Sequence, residues 1–170
     1  MEAFENADAV ERILDQWRRE RPELDVFPMG VLGRMKRCAL LLEKQLERVF
    51  AQFGLCAWEF DVLATLRRSG APYCLTPTVL FSSLMITSGT LTHRLRVLEE
   101  KGWIERIDSD QDARSTLVRL TDVGFNLIDA AVTAHVANEQ DLLQALSSRS
   151  QQSLNNRLAE LLASLELRGE

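Results

Sequence analysis

The stretch that decides the fold runs from Ser88 to Thr121, SGTLTHRLRVLEEKGWIERIDSDQDARSTLVRLT. Leu91, Leu95 and Leu98 stand at i, i+4 and i+7 and give the buried stripe of a helix over roughly 88–101, closed by Gly102. Two short strands are predicted next, near 103–107 and 115–120, joined by the polar turn DSDQDAR. In the second strand Thr116, Val118 and Leu120 share one face, and Leu117 and Arg119 the other.

Working outward, PTVLFSSLM reads as a short helix opened by Pro77 and capped by Thr76, and only Ile86 and Thr87 separate it from the next helix. That is helix-turn-helix spacing. If the leucine stripe faces the core, Gly89, His93 and Arg96 face outward, flanked by Thr90 and Thr92, with Ser88 at the entry. Small residues at the first turn let a duplex approach closely, and backbone amides there can meet a phosphate. His93 and Arg96 are the long donors for base edges or backbone in the major groove. The solvated hairpin tip offers Arg114 to a narrow minor groove, and Asp112 has a role in accepting from Arg114 or from turn amides. The alternative at this point is an ordinary surface hairpin beside an ordinary helix.

Composition constrains the DNA reading. The 170 residues carry a formal net charge of −5, so no global basic field advertises a nucleic-acid partner. Between Ile86 and Arg119 six basic residues meet six acidic ones. Binding would then depend on positioned contacts and on two half-sites held together. Hydrophobic residues make up 46% of the chain but are dispersed, with no run resembling a membrane span. The acidic, amphipathic N-terminus is unlike a secretory signal, which points to the cytoplasm. Cys38, Cys56 and Cys74 are scattered and odd in number, fitting neither a disulfide framework nor a zinc site, so packed, reduced thiols are expected.

The flanks are helical. Val10, Ile13, Leu14 and Trp17 mark a helix near 7–20, ended by Arg21-Pro22. A longer pattern after Pro28 keeps Leu32, Met35, Ala39, Leu42, Leu46, Val49 and Phe53 on one side until Gly54. AWEFDVLATLRRSG is a compact helix with Arg67, Arg68 and Gly70 at its C-terminal end, and residues 71–76 form a connector. Beyond Asp122 one long helix is followed by a serine-rich break at 147–150 and a final helix with Leu154, Leu158, Leu161, Leu162 and Leu165 in a stripe. Such narrow stripes need cover, from a partner subunit or from the chain folding back on itself. The expected fold is mainly α with a small β-hairpin wing. Residues 1–55 hold N-terminal helices for dimerisation and ligand contact, 56–121 the winged helix-turn-helix domain, and 122–170 the C-terminal dimerisation helices.

The recognition helix, the hairpin with its Asp-x-Arg pair at Asp112 and Arg114, and the preceding FGLCAWEFDVLATLRRSG together resemble the MarR family of bacterial transcription regulators. The resemblance covers roughly residues 28–167. It implies a homodimer on a pseudo-palindromic double-stranded DNA operator, repressing until a small molecule or an oxidant intervenes, with recognition helices ~34 Å apart.

Arg94 sits at the edge of the buried stripe and needs a partner, for which Asp61 is the candidate, with Arg106 a second cation. Trp17, Asp61, Arg94 and Arg106 also resemble, in this order, the tryptophan, aspartate and two arginines of the urate-responsive subgroup with its extra N-terminal helix. The resemblance implies a ligand-binding set for urate or another purine or aromatic acid. The anion would repel Asp61, tug Arg94 and rotate the recognition helix. Equally, Asp61 and Arg94 form a plain salt bridge and Trp17 is a hydrophobic anchor. A redox-sensing variant would use Cys38, which follows Lys36-Arg37. A catalytic constellation, a metal site and a cofactor are not expected, because His93 and His135 stand in no Ser/His/Asp, Cys/His or metal-ligand pattern. A dimeric interaction module without DNA binding would leave the Asp112–Arg114 pair unexplained.

Overall fold

In the computed structural model, residues 8–84, 91–108 and 116–169 are described, and the chain forms two compact units, 1–48 and 49–170. Among the described residues no single helix is long and apolar enough to cross a membrane.

The first unit holds α1 (Ala9–Glu20) and most of α2 (Phe27–Gln52). Asp8 starts α1 by accepting from the Val10 and Glu11 amides at 2.9 and 2.8 Å. Leu14 is buried against α2, where Gly30 and Gly33 leave room: a Cβ at either would lie 3.0 Å from Leu14 or 3.1 Å from Val10. Arg34 of α2 reaches back to Asp8 at 2.8 Å and Glu11 at 2.5 Å. Of the apolar stripe expected on α1, Ile13 and Trp17 remain 50% and 40% exposed. Pro28 lies inside the first turn of α2, which begins one residue before it, at a position where its missing N–H costs no helix hydrogen bond.

The second unit contains α3 (Ala57–Arg68), β1 (Cys74–Leu75), α4 (Pro77–Ser83), α5 (Leu91–Glu100), β2 (Ile104–Asp108), β3 (Thr116–Leu120), α6 (Asp122–Leu143) and α7 (Ser148–Gly169). Val62, Leu63 and Leu66 of α3, Leu80 of α4, Leu98 of α5, and Ile104, Val118 and Ile128 are almost wholly buried and form the core. The sheet is antiparallel in the order β1-β3-β2, with Ile104 opposite Leu120 and Asp108 opposite Thr116. The expected hairpin is therefore present, but the connector at 71–76 contributes a third strand. Cys74 pairs with Arg119 and Leu75 with Val118. Two paired residues are too short a run to show an alternating pattern.

Thr76 caps α4 by accepting from the Val79 amide at 3.2 Å, as its place before Pro77 predicts. Thr121 does the same for Gly124 at 3.0 Å and donates its hydroxyl to the Gly102 carbonyl at 2.7 Å. This joins the turn after α5 to the start of α6. Gly124 is required there, since a Cβ would lie 1.9 Å from the Trp103 carbonyl oxygen. The serine-rich segment is a helix start, not a break through residue 150: Ser147 accepts from the Ser150 amide at 3.2 Å, and α7 begins at Ser148.

The cysteines depart from expectation. Cys38 and Cys56 are exposed and Cys74 half-buried. Cys38 lies on the open side of α2, and Cys56 precedes the first turn of α3, where the Glu59 carboxylate accepts its amide at 2.9 Å and its side chain is left at the surface.

Candidate functional site

The outward face of α5 follows from which residues its core face buries. Leu95 and Leu98 are 2% and 0% exposed, which leaves Thr92, His93 and Arg96 in solvent. Arg96 is held by Glu100 at 3.0 Å and lies 3.3 Å from His93 Nδ1. Both contacts are solvent-exposed, so a stronger acceptor can replace them at small cost. Ser88, Gly89 and Thr90, and Asp112 and Arg114 at the hairpin tip, lie outside the described residues.

The end of α5 is locked to α3. Lys101 donates to Glu59 at 2.5 Å, and Glu59 is 4% exposed. Burial pushes the Glu59 carboxyl up, but the Lys101 ammonium and the Cys56 amide outweigh it and hold the group below the ordinary glutamate range. Arg106 on β2 pairs with Glu99 of α5 at 3.3 Å, so the first wing strand is also tied to the helix.

Arg94 points to the side of α5 that faces α3. Its guanidinium lies 5.2 Å from the centre of the Trp58 ring, a cation–π contact. No direct ion pair joins Arg94 to Asp61; the aspartate instead feels Arg94, His135 and Arg68 at longer range. Burial pushes the Asp61 carboxyl above the ordinary aspartate range, and the guanidinium of Arg94 first, with His135 and Arg68, pulls it part of the way back. The residue as a whole is nonetheless exposed, so only part of its carboxyl is desolvated. It opens on a cavity of about 340 Å³ walled by Phe60, Thr65, Arg68, Ser83 and Leu84.

Of the four residues expected to meet a ligand, the structure thus gathers Asp61 and Arg94 around the middle of α3, while Arg106 is engaged by Glu99. Trp17 is on α1 in the first unit. Sequence reasoning missed Trp58 and Arg68. Asp61, Thr65 and Arg68 stand at i, i+4 and i+7, a helical face that could have been found from spacing alone. His135 is a packed residue, its ring 5.4 Å from Phe50 and 4.9 Å from Phe60, with Nε2 at 3.3 Å from Glu139.

Comparison with known proteins places this geometry among regulators. A model of the MarR family matches residues 57–116. The HTH-type transcriptional regulator PecS of Dickeya dadantii is 48% identical over 145 residues, covering 85% of this chain and 87% of that protein. The multiple antibiotic resistance protein MarR of Salmonella typhimurium is 33% identical over 72% of this chain and 80% of its own length. Among solved structures, the MepR–DNA complex of S. aureus superposes with a TM-score of 0.67 at 26% identity, covering 79% of this chain and 96% of that one.

Proposed function

Because the chain belongs to the MarR family of DNA-binding transcriptional regulators and is not an enzyme, we propose that it acts in the cytoplasm as a homodimeric repressor released from its operator by a small anionic aromatic ligand. The carrying observation is the solvent-facing row Thr92, His93 and Arg96 on α5, opposite the buried Leu95 and Leu98. These three side chains read the major groove, with Ser88, Gly89 and Thr90 at the entry turn. Arg114, braced by Asp112, enters the minor groove. Residues 56–121 supply this DNA-binding domain.

Helices within 1–55 and 122–170 supply the dimer contacts. In support, Leu154, Leu158, Leu162 and Leu165 on α7 are 43%, 41%, 57% and 52% exposed on the single chain, an apolar row that a second copy of the chain would cover. The two-fold symmetry of the dimer would impose a pseudo-palindromic operator.

The effector reading centres on Asp61 and Arg94, with Trp17 and Arg106 as further members of the set by resemblance to the urate-responsive subgroup. An anion entering beside Asp61 repels the carboxylate and draws on Arg94, whose stacking on Trp58 ties α5 to α3. Shifting that contact biases the recognition helix between DNA-bound and released positions. Urate, another purine or an aromatic acid has the required charge and flatness. The test is a mobility shift on the DNA upstream of the protein's own gene, titrated with urate. Wild type is expected to release and Asp61→Ala and Arg106→Ala to respond less; unchanged sensitivity in both variants rejects the site.

The exposure of Cys38 beside Lys36 and Arg37 favours a second reading, release by oxidation of that thiol. Loss of operator binding on mild peroxide, abolished by Cys38→Ser, would support it, and peroxide insensitivity of wild type would dismiss it. Cys56 is a weaker candidate: although the residue is exposed, partial desolvation of its thiol and the adjacent Glu59 carboxylate push it up and away from the thiolate.

A further inference from the structure

Arg68 does two things at once. Its Nη2 donates to the carbonyl of Ser83, the last residue of α4, at 3.1 Å, and lies 3.3 Å from the Thr65 hydroxyl. The Thr65 hydroxyl in turn donates to the Asp61 carbonyl at 2.7 Å. Carbonyls in the last turn of a helix lack partners within that helix and carry its negative dipole end, so a guanidinium on Ser83 holds the end of α4 against α3. From there the chain runs through residues 85–90 into α5. Arg68 also lines the Asp61 cavity, with Phe60 and Leu84 as apolar walls.

An arginine bound to a neutral carbonyl forms a stronger, charge-assisted pair when an anion is offered within its reach. We infer that Arg68 is an effector-contacting residue of the α3–α4 cavity, which exchanges the Ser83 carbonyl for the ligand's anionic edge and thereby unfastens the C-terminal end of α4. The cavity accepts a planar monoanion of purine or benzoate size, its ring between Phe60 and Leu84 and its charge on Arg68. The effect on DNA follows from position: α4 is the first helix of the helix-turn-helix, and its end sets where the following turn and α5 begin. This gives the effector a route to the recognition helix that is separate from Arg94.

The inference rests on the effector reading above, and the experiment separates the two. Urate is titrated into the full-length protein by calorimetry, and the Kd for the upstream duplex is measured with and without urate, for wild type, Arg68→Gln and Arg68→Lys. Arg68→Gln is expected to weaken urate binding about tenfold or more and to reduce the urate-dependent change in DNA Kd, with Arg68→Lys intermediate. A purely structural role would instead change DNA Kd equally with and without urate, which would overturn the inference. So would urate affinity at the wild-type level in both variants. Should Arg68→Gln fail to fold, Arg68→Lys carries the same comparison. If wild type itself binds no urate and its DNA Kd is unmoved by it, the effector reading falls and takes the inference with it.

Discussion

The Lys101 ammonium donates to the Glu59 carboxylate at 2.5 Å, tying the residue after α5 to the first turn of α3. The acid is nearly fully buried, while the lysine keeps 39% of its side chain in solvent and lies 4.4 Å from the centre of the Trp103 ring. Removing the cation strands a buried charge with the Cys56 amide and thiol as its remaining partners. Lys101→Met is therefore expected to destabilise the fold by about 2–3 kcal/mol, measured by urea unfolding at neutral pH. The pH dependence has a definite sign. Because the Glu59 carboxyl is held below its ordinary range in the fold, the pair's stabilisation is present above that range and is lost as pH falls through the depressed folded value. The gap between wild type and Lys101→Met should close in acid, below the ordinary glutamate range.

Asp61 behaves in the opposite sense. Burial raises its carboxyl, so ionisation costs more in the folded chain than in the unfolded one. Its contribution to stability is full below the ordinary aspartate range and is lost as pH rises through the raised folded value. Asp61→Asn should therefore melt at a higher temperature than wild type at pH 7, and the two curves should converge at acid pH. An unchanged or lower melting temperature at pH 7 would contradict this.

On the outward face of α5, Arg96 contributes little to the fold, its ion pair with Glu100 being 61% exposed on both sides. Arg96→Ala should leave the melting temperature within a degree or so of wild type. It should weaken operator binding about 10- to 100-fold by fluorescence anisotropy at fixed salt. Equal loss of stability and DNA affinity would mean that the residue holds the helix and does not read DNA.

The exposed stripe of α7 makes the proposed dimer testable without touching the proposed DNA-binding residues. Leu162 is 57% exposed on the single chain, so Leu162→Glu should preserve the circular dichroism spectrum while shifting sedimentation toward monomer. Operator affinity should fall by orders of magnitude, because one half-site no longer assists the other. A variant that sediments like wild type would remove Leu162 from the interface.

Much of this molecule is legible in its sequence, for local reasons. Leu91, Leu95 and Leu98 specify a helix by spacing alone, and Leu95 and Leu98 are buried where that spacing puts them. Thr76 before Pro77 marks a helix start because a hydroxyl at that position satisfies an otherwise orphaned amide. The outward row His93 and Arg96 follows once the inward row is known. These determinants lie within a few residues of what they determine.

Tertiary structure decided the pairings between elements. Nothing in the spacing of Arg94 selects Trp58 over Asp61, since a cation at a stripe's edge is satisfied equally by a ring face or a carboxylate; the side chain that α3 presents there settles it. Arg106 takes Glu99 because β2 runs back alongside α5, and Arg68 takes the Ser83 carbonyl because α4 ends against α3. Cys74 and Leu75 became a strand only because β3 offered a free edge to pair with. Hydrophobic periodicity determined which faces turn inward, whereas the partner of each charge depended on distances across the fold, which a linear pattern does not contain.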